Sequence, residues 1–183
     1  MHRIMLVDDE PNILNALRRT LGTSVTDGID VFEIQVELFD QPEAALKRAR
    51  DTKFDLVMSD YRMPSMNGVA FLKSFRTLQP NAVRLILSGY ADLNAIIGAI
   101  NEAQIYRFIC KPWQDYEVSA TLTQALAYQS LQLENQRLAD LVRVQEGTLS
   151  RQEQELRRLE EESPGITQVN WGPDGSILLY EED

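Results

Sequence analysis

Short apolar segments that each end in a charged or hydroxyl residue recur between His2 and Lys111, and they constrain the fold more than any other feature. Leu56-Val57-Met58, which leads to Asp60, is typical of a strand whose two faces are both covered. Segments with helical spacing of apolar residues separate these strands, and this alternation predicts an α/β fold with a doubly wound parallel sheet of five strands in the order 2-1-3-4-5. The predicted strands are His2–Val7, Phe32–Phe39, Asp55–Asp60, Val83–Ser88 and Arg107–Cys110; the predicted helices are Pro11–Leu21, Pro42–Arg50, Val69–Leu78, Asp92 to about Ala103, and one from Asp115 onward.

The connections carry three local predictions. The segment Gly22–Asp30 is polar and contains glycine, which predicts a loop. Phe32–Phe39 alternates apolar and polar residues, which predicts an edge strand with its apolar side chains turned inward. Asp40 and Asp92 are predicted to cap the helices that follow them.

Polar residues follow the predicted strands at the carboxyl end, where parallel sheets bind ligands. Parallel strands would gather Asp8, Asp9, Asp60, Ser88 and Lys111 at one edge. Adjacent carboxylates repel each other unless a cation holds them. Acids, Mg²⁺, a lysine and a hydroxyl together form a site that handles phosphoryl groups.

The same residues resemble the receiver domain of bacterial two-component response regulators. The resemblance covers Met1 to Tyr128 and implies a flavodoxin-like fold for residues 1–128. It rests on Asp8-Asp9, on Asp60 followed by Met63-Pro64 and Asn67-Gly68, on Ser88-Gly89, and on Lys111-Pro112.

The resemblance implies that Asp60 accepts a phosphoryl group from a phosphohistidine on a sensor histidine kinase. It also implies a Mg²⁺ ion that Asp9 and Asp60 ligate directly, with Asp8 acting through water and the backbone carbonyl of Arg62 completing the protein ligands.

Three further roles follow from the resemblance. Lys111 would pair with Asp60 and then with a phosphoryl oxygen, and Ser88 would donate its hydroxyl to another. Phe108 matches the aromatic switch position, where the ring turns inward on phosphorylation. The Lys111–Pro112 bond matches a position where a cis peptide is usual.

The last predicted helix continues past the receiver as residues 129–162, with no proline and with Gly147 as its one glycine. A heptad repeat fits this stretch and predicts a coiled coil, since a long exposed helix needs a partner to bury its apolar stripe. The a positions would be Asn135, Val142, Leu149 and Leu156, and the d positions Leu131, Leu138, Gln145, Gln152 and Leu159.

A homodimer is the simplest pairing that this stripe predicts. Glu155 at a g position would face Glu160 at an e position in a parallel dimer, and this like-charge pair weakens it. Antiparallel pairing and pairing with a different protein therefore remain open. Residues 163–183 predict a short hairpin-like tail around Gly172-Pro173-Asp174-Gly175.

A formal net charge of -10 argues against nonspecific binding to nucleic acid or to an anionic membrane. No stretch is long and apolar enough to cross a bilayer, and Asp8-Asp9-Glu10 interrupts any signal-peptide pattern. These features predict a cytoplasmic protein. The single cysteine, Cys110, is predicted to be a buried structural residue.

Two classes of output compete. The first is a signalling switch without an enzymatic output, which acts through protein contacts. The second is a regulator that acts on or with a separate cyclic-dinucleotide or DNA-binding output protein, since Leu87–Asp92 and Ile105–Trp113 resemble receivers fused to HD-GYP phosphodiesterases. His2 is the only histidine and no His-Asp pair follows Lys111, which favours the first class. A receiver that serves only as a scaffold is disfavoured by the complete set of acids, serine and lysine.

Overall fold

The computed structural model describes residues 1–22, 24–26, 31–89 and 103–162, and its centre is a six-stranded sheet. The strands are β1 (His2–Val7), β2 (Ser24–Thr26), β3 (Val31–Phe39), β4 (Leu56–Asp60), β5 (Val83–Gly89) and β6 (Arg107–Lys111). Their order across the sheet is β2-β3-β1-β4-β5-β6. All five predicted strands are present, parallel to one another and in the predicted relative order, so the predicted fold class is confirmed.

The strand β2 corrects two predictions. It lies within the segment predicted to be a loop, and it pairs antiparallel with β3, so the sheet is mixed and β3 is not an edge strand along its first residues. Val25 opposes Phe32 in this pairing and is buried. One apolar residue in a short polar segment has no periodicity to detect, and only the long-range pairing with β3 makes it a core residue.

Four helices are described: α1 (Pro11–Leu21), α2 (Pro42–Asp51), α3 (Gly68–Leu78) and α4 (Asp115–Glu162). Pro11 and Pro42 occupy the first turns of α1 and α2, where a missing N–H costs nothing. The predicted cap Asp40 is wrong, because the residue that precedes α2 is Gln41 and its side chain makes no capping hydrogen bond. The predicted helix from Asp92 lies outside the described residues.

Each central strand contributes to two apolar cores, one on each face of the sheet. Ile4 and Leu6 of β1 pack on the face covered by α1 and the start of α4, whereas Met5 and Val7 pack on the face covered by α2 and α3. This alternation explains why the strands are apolar without interruption. Because both faces of these strands are covered, polar side chains meet at the carboxyl ends of the strands.

The chain divides into two compact units, residues 1–133 and 134–183. In the first unit, the beginning of α4 buries Val118, Leu122 and Leu126. In the second, the described part of α4 leaves its apolar side chains exposed, so the coiled coil stays a prediction. The predicted hairpin at 163–183 lies outside the described residues. None of the described helices combines the length and apolar character that crossing a bilayer requires.

Candidate functional site

Asp8 and Asp60 lie side by side because their strands are neighbours. Val7 of β1 is in register with Ser59 of β4, so the next residue on each strand carries a carboxylate at the same edge. Asp8 is 1% exposed and Asp60 is 5% exposed. Two carboxylates this deeply buried require a compensating charge.

Lys111 supplies that charge from the end of β6. Its Nζ lies 2.7 Å from Asp8 Oδ2 and forms an ion pair with Asp60 Oδ1. The resemblance implied the contact with Asp60, whereas the contact with Asp8 was not predicted. The repulsion expected between neighbouring acids was the signal that could have indicated it.

Backbone amides hold the remaining carboxylate oxygens. The N–H of Glu10 donates to Asp8 Oδ1 at 2.9 Å, and the N–H of Arg62 donates to Asp60 Oδ2 at 2.7 Å. Both donors come from the residue two positions later, which is the local turn that aspartate favours. All four carboxylate oxygens are therefore oriented by donors before any ligand binds.

Burial and ion pairing shift the pKa values of Asp8 and Lys111 in opposite directions. Burial raises the pKa of Asp8, although its hydrogen bonds with Lys111 and the N–H of Glu10 oppose this. Burial alone would lower the pKa of Lys111, but its hydrogen bonds to Asp60 and Asp8 outweigh burial and raise it. Lys111 is consequently charged at neutral pH, while the ionised form of Asp8 is held at an energetic cost.

Gly68 explains the tight return of the loop after β4. Its N–H donates to the carbonyl of Tyr61 at 2.9 Å, and a Cβ built at this position would lie 2.1 Å from the backbone oxygen of Asp60. Any larger residue would push this backbone away from the carboxyl edge of the sheet that carries Asp8, Asp60, Ser88 and Lys111, called here the acid edge. Asn67 begins α3 next to it by accepting a hydrogen bond from Ala70 N at 2.9 Å.

Ser88 lies at the same edge, on the strand between β4 and β6. Asp60 is in register with Leu87, so Ser88 is one residue further along β5. The side chain is buried, and its hydroxyl donates to the carbonyl of Gly89 at 3.0 Å. The structure thus brings Ser88 to the edge that holds Asp8, Asp60 and Lys111.

Asp9 and Arg62 follow Asp8 and Asp60 in the chain and are less buried than those two acids. Asp9 is half-buried and makes no hydrogen bond or ion pair with any residue in the described ranges, and Arg62 is exposed. Within those ranges, no three His, Cys, Asp or Glu side chains converge as a ready metal site. Mg²⁺ keeps several waters and needs only one or two carboxylates, and the adjacent oxygens of Asp8 and Asp60 fit that requirement.

The remaining predicted features lie on β6. Phe108, the residue predicted to be the aromatic switch, is 38% exposed and so is turned outward. The Lys111–Pro112 peptide bond is cis, as the resemblance implied. Cys110 is half-buried rather than fully buried, because β6 is the last strand at this side of the sheet.

Curated proteins that are similar to this chain include the hydrogenase transcriptional regulatory protein HoxA of Cupriavidus necator, which is 38% identical over 135 residues that make up 74% of this chain and 26% of that protein. The transcriptional regulatory protein ZraR of Escherichia coli K12 is 32% identical over 128 residues, or 68% of this chain and 26% of that protein. The chain spans about a quarter of the length of these relatives.

Solved structures of other proteins are also similar to this chain. An uncharacterised protein from Neptuniibacter caesariensis has 37% identity and a TM-score of 0.64, covering 73% of this chain and 93% of that one. The signal receiver domain of an HD domain-containing protein from Pseudomonas fluorescens Pf-5 has 32% identity and a TM-score of 0.63, covering 70% of this chain and 97% of that one.

A family model described as the response regulator receiver domain matches residues 4–123, which contain every residue of the acid edge. Receiver domains of this family are regulatory domains. With five parallel strands whose carboxyl ends join two buried acids, a serine and a lysine, this chain belongs to the response regulator receiver domain family.

Proposed function

We propose that this protein is a phosphorelay response regulator that accepts a phosphoryl group on Asp60 from a phosphohistidine of a sensor histidine kinase. The observation that carries the proposal is the ammonium group of Lys111, which contacts the buried carboxylates of Asp8 and Asp60 together. Formation of an acyl phosphate needs a nucleophilic carboxylate that is held beside a positive charge.

In the proposed transfer, a carboxylate oxygen of Asp60 attacks phosphorus and forms the new P–O bond. The P–N bond of the phosphohistidine breaks, its electron pair returns to the imidazole, and the leaving ring takes up a proton from water. The N–H of Arg62 keeps the Asp60 carboxylate oriented during this step. Positioning of this kind supplies much of the catalysis in phosphoryl transfer.

Lys111 and Ser88 then bind the product. Lys111 moves its ammonium group toward a phosphoryl oxygen, as a compact positive charge can without a fixed geometry. The hydroxyl of Ser88 turns from the carbonyl of Gly89 to donate to a second phosphoryl oxygen. Phe108 turns inward from its exposed position as this rearrangement occurs.

A Mg²⁺ ion held at this site would neutralise negative charge on the phosphoryl oxygens. Asp9 and Asp60 would ligate it directly, Asp8 through water, and the backbone carbonyl of Arg62 would add a further oxygen. Oxygen ligands with several retained waters are the coordination that Mg²⁺ prefers. The half-buried carboxylate of Asp9, which has no partner among the described residues, suits this role.

The proposed output is protein contact through α4 rather than an enzymatic reaction, with a homodimer as the simplest assembly. The apolar side chains that α4 exposes in the second unit support this output, because exposed apolar surface favours association. A cytoplasmic location belongs to the same proposal, since a sensor kinase must present its phosphohistidine there. Acetyl phosphate with Mg²⁺, read by intact mass on the wild type and on Asp60→Asn, tests the phosphoryl acceptor.

A second candidate function is favoured by the relatives themselves. HoxA and ZraR are named as transcriptional regulatory proteins, and the Pseudomonas receiver belongs to an HD domain-containing protein. In this second candidate function, the receiver would regulate a separate output protein that binds DNA or acts on a cyclic dinucleotide. Titration calorimetry can compare how the phosphorylated and the unphosphorylated full chain bind a candidate output protein. Binding that depends on phosphorylation would support this second function over an output by self-association alone.

A further inference from the structure

The second unit of the chain carries an apolar stripe along α4. Leu138, Val142, Leu156 and Leu159 occupy a or d positions of the heptad, and they are exposed by 50%, 51%, 52% and 37% respectively. An isolated helix gains little stability from propensity alone, so a stripe of this kind is covered by another helix in a functional assembly. The residues beside the stripe decide which helix is accepted.

The two edges of the stripe are acidic. The e and g positions together hold six glutamates and no lysine or arginine. The arginines of this stretch fall at b and c, on the outer part of the helix. The e positions are Gln132, Ala139, Glu146, Glu153 and Glu160, and the g positions are Glu134, Leu141, Thr148, Glu155 and Glu162.

Ion pairs within the helix offset part of the charge along the g edge. Arg158 lies 4.0 Å from Glu155 and 3.0 Å from Glu162, so it offsets charge at the g edge. Glu146 and Glu153 at the e edge form no ion pair with any residue in the described part of the chain. Glu146 and Glu153 therefore present negative charge at the e edge that a facing helix must match.

We infer that the preferred occupant of this stripe is a helix of another protein whose own apolar stripe is flanked by lysine or arginine. The inference rests on the proposed output through α4, and it names the chemistry of the partner. A second copy pairs more weakly because it brings glutamates to both edges, as with Glu155 and Glu160 in a parallel pair. A helix flanked by lysine or arginine replaces the Glu155–Glu160 repulsion with an attraction, and it also places a cation opposite Glu146 and Glu153.

The test uses a second full chain as the basic-flanked probe. The charge-reversal variant E155K/E160K keeps the apolar stripe but places ammonium groups at one g and one e position. In a parallel pair, each of these faces a glutamate of the wild-type chain. Fluorescently labelled wild-type chain is titrated at low and high salt with the variant or with unlabelled wild type, and association is measured by sedimentation.

The variant is expected to bind the wild-type chain about tenfold more tightly than the wild type binds itself, because a few flanking ion pairs contribute this much. Raising the salt concentration should reduce the difference. The matched control is D140K/E161K, which makes the same change in net charge at two f positions on the outer face. It should bind like the wild type.

Two results would overturn the inference, and they differ in what else they affect. Equal binding by both variants would show that net charge, and not the edges of the stripe, governs the association. Absence of association in every mixture would also remove the proposed homodimer, and protein contact through α4 would then need a partner of other chemistry. Neither result would bear on the proposal that Asp60 is phosphorylated, because intact mass tests that proposal independently.

Discussion

The ammonium group of Lys111 lies 2.7 Å from the carboxylate of Asp8, although the two residues are 103 positions apart in the chain. This contact joins the ends of β1 and β6 across the carboxyl edge of the sheet, with Asp60 bound to the same ammonium group. One cation thus holds two buried acids together at the site of the proposed phosphoryl transfer.

Phosphorylation should occur at Asp60. Acetyl phosphate with Mg²⁺ is expected to add one phosphoryl group to the wild-type chain, and Asp60→Asn should abolish the addition because it removes the nucleophile. Intact-mass spectrometry measures the result. Asp55→Asn is the matched control, since Asp55 lies just before β4, at the opposite end of the strand from Asp60. A phosphoryl group found on Asp60→Asn at another residue would remove Asp60 from this role.

Mg²⁺ should stabilise the folded protein by mass action, because a bound ion favours the native state. Asp9→Ala should lose most of the increase in Tm that Mg²⁺ gives, since Asp9 is a proposed direct ligand. Thermal melts with and without MgCl₂ measure this. Glu10→Ala is the control, because it removes an exposed acid next to Asp9 but keeps the backbone N–H that binds Asp8. An unchanged response in Asp9→Ala would exclude Asp9 as a ligand.

Asp8→Asn should raise the Tm in the absence of Mg²⁺. Burial raises the pKa of Asp8, so its contribution to stability is full below the unfolded pKa near 3.8 and is lost as pH rises through the higher folded pKa. At neutral pH the ionised carboxylate is therefore a cost, and Lys111 keeps Asp60 as a partner when that cost is removed. We expect an increase of about 2–4 °C, which corresponds to about 1 kcal/mol.

The Tm increase of Asp8→Asn should disappear when wild type and variant are compared at pH 3, where Asp8 is neutral in both states. A Tm decrease at pH 7 would show instead that the pair with Lys111 outweighs burial.

Lys111→Met should destabilise the protein at neutral pH, because it leaves two buried carboxylates without their cation. Breaking a buried pair in this way typically costs about 3–5 kcal/mol. Since pairing raises the pKa of Lys111, its contribution is full below the unfolded pKa of 10.5 and is lost as pH rises through the higher folded pKa. The difference between wild type and variant in urea unfolding should therefore shrink above pH 10.5.

Lys73→Met is the control for Lys111→Met, because it removes a lysine from the outer side of α3, away from the acid edge. A difference that stays constant through this pH range would contradict the charge-pair explanation.

Self-association through α4 should depend on the heptad stripe. The full chain is expected to dimerise with a Kd of about 1 μM, which is about -8 kcal/mol, and Leu138→Glu should weaken it at least tenfold. Leu133→Glu is the control, since Leu133 is 41% exposed but occupies an outer f position. Analytical ultracentrifugation at tens of micromolar measures both. Monomers for every chain would mean that α4 awaits a different protein.

Much of the site could be predicted from the sequence because parallel strands collect their carboxyl ends at one edge of a sheet. Asp8, Asp60, Ser88 and Lys111 each follow an apolar run, so the strand pattern alone placed them together. The Asn67-Gly68 pair was a motif without a geometric reason until the structure showed the close approach of Gly68 to the backbone of Asp60.

The sequence by itself determined the five strands and the stripe on α4, because periodicity and strand-end residues are local signals that neighbouring residues carry. The order of the strands followed from the flavodoxin-like fold class and not from a local signal. Only the tertiary structure decided that β2 joins the sheet through Val25, that Gln41 rather than Asp40 precedes α2, and that Lys111 contacts Asp8 as well as Asp60. The contacts of β2 and of Lys111 join residues that are brought together by folding. The strand pairing of β2 and the ion pairs of Lys111 stabilise the protein only after the fold has placed both partners side by side.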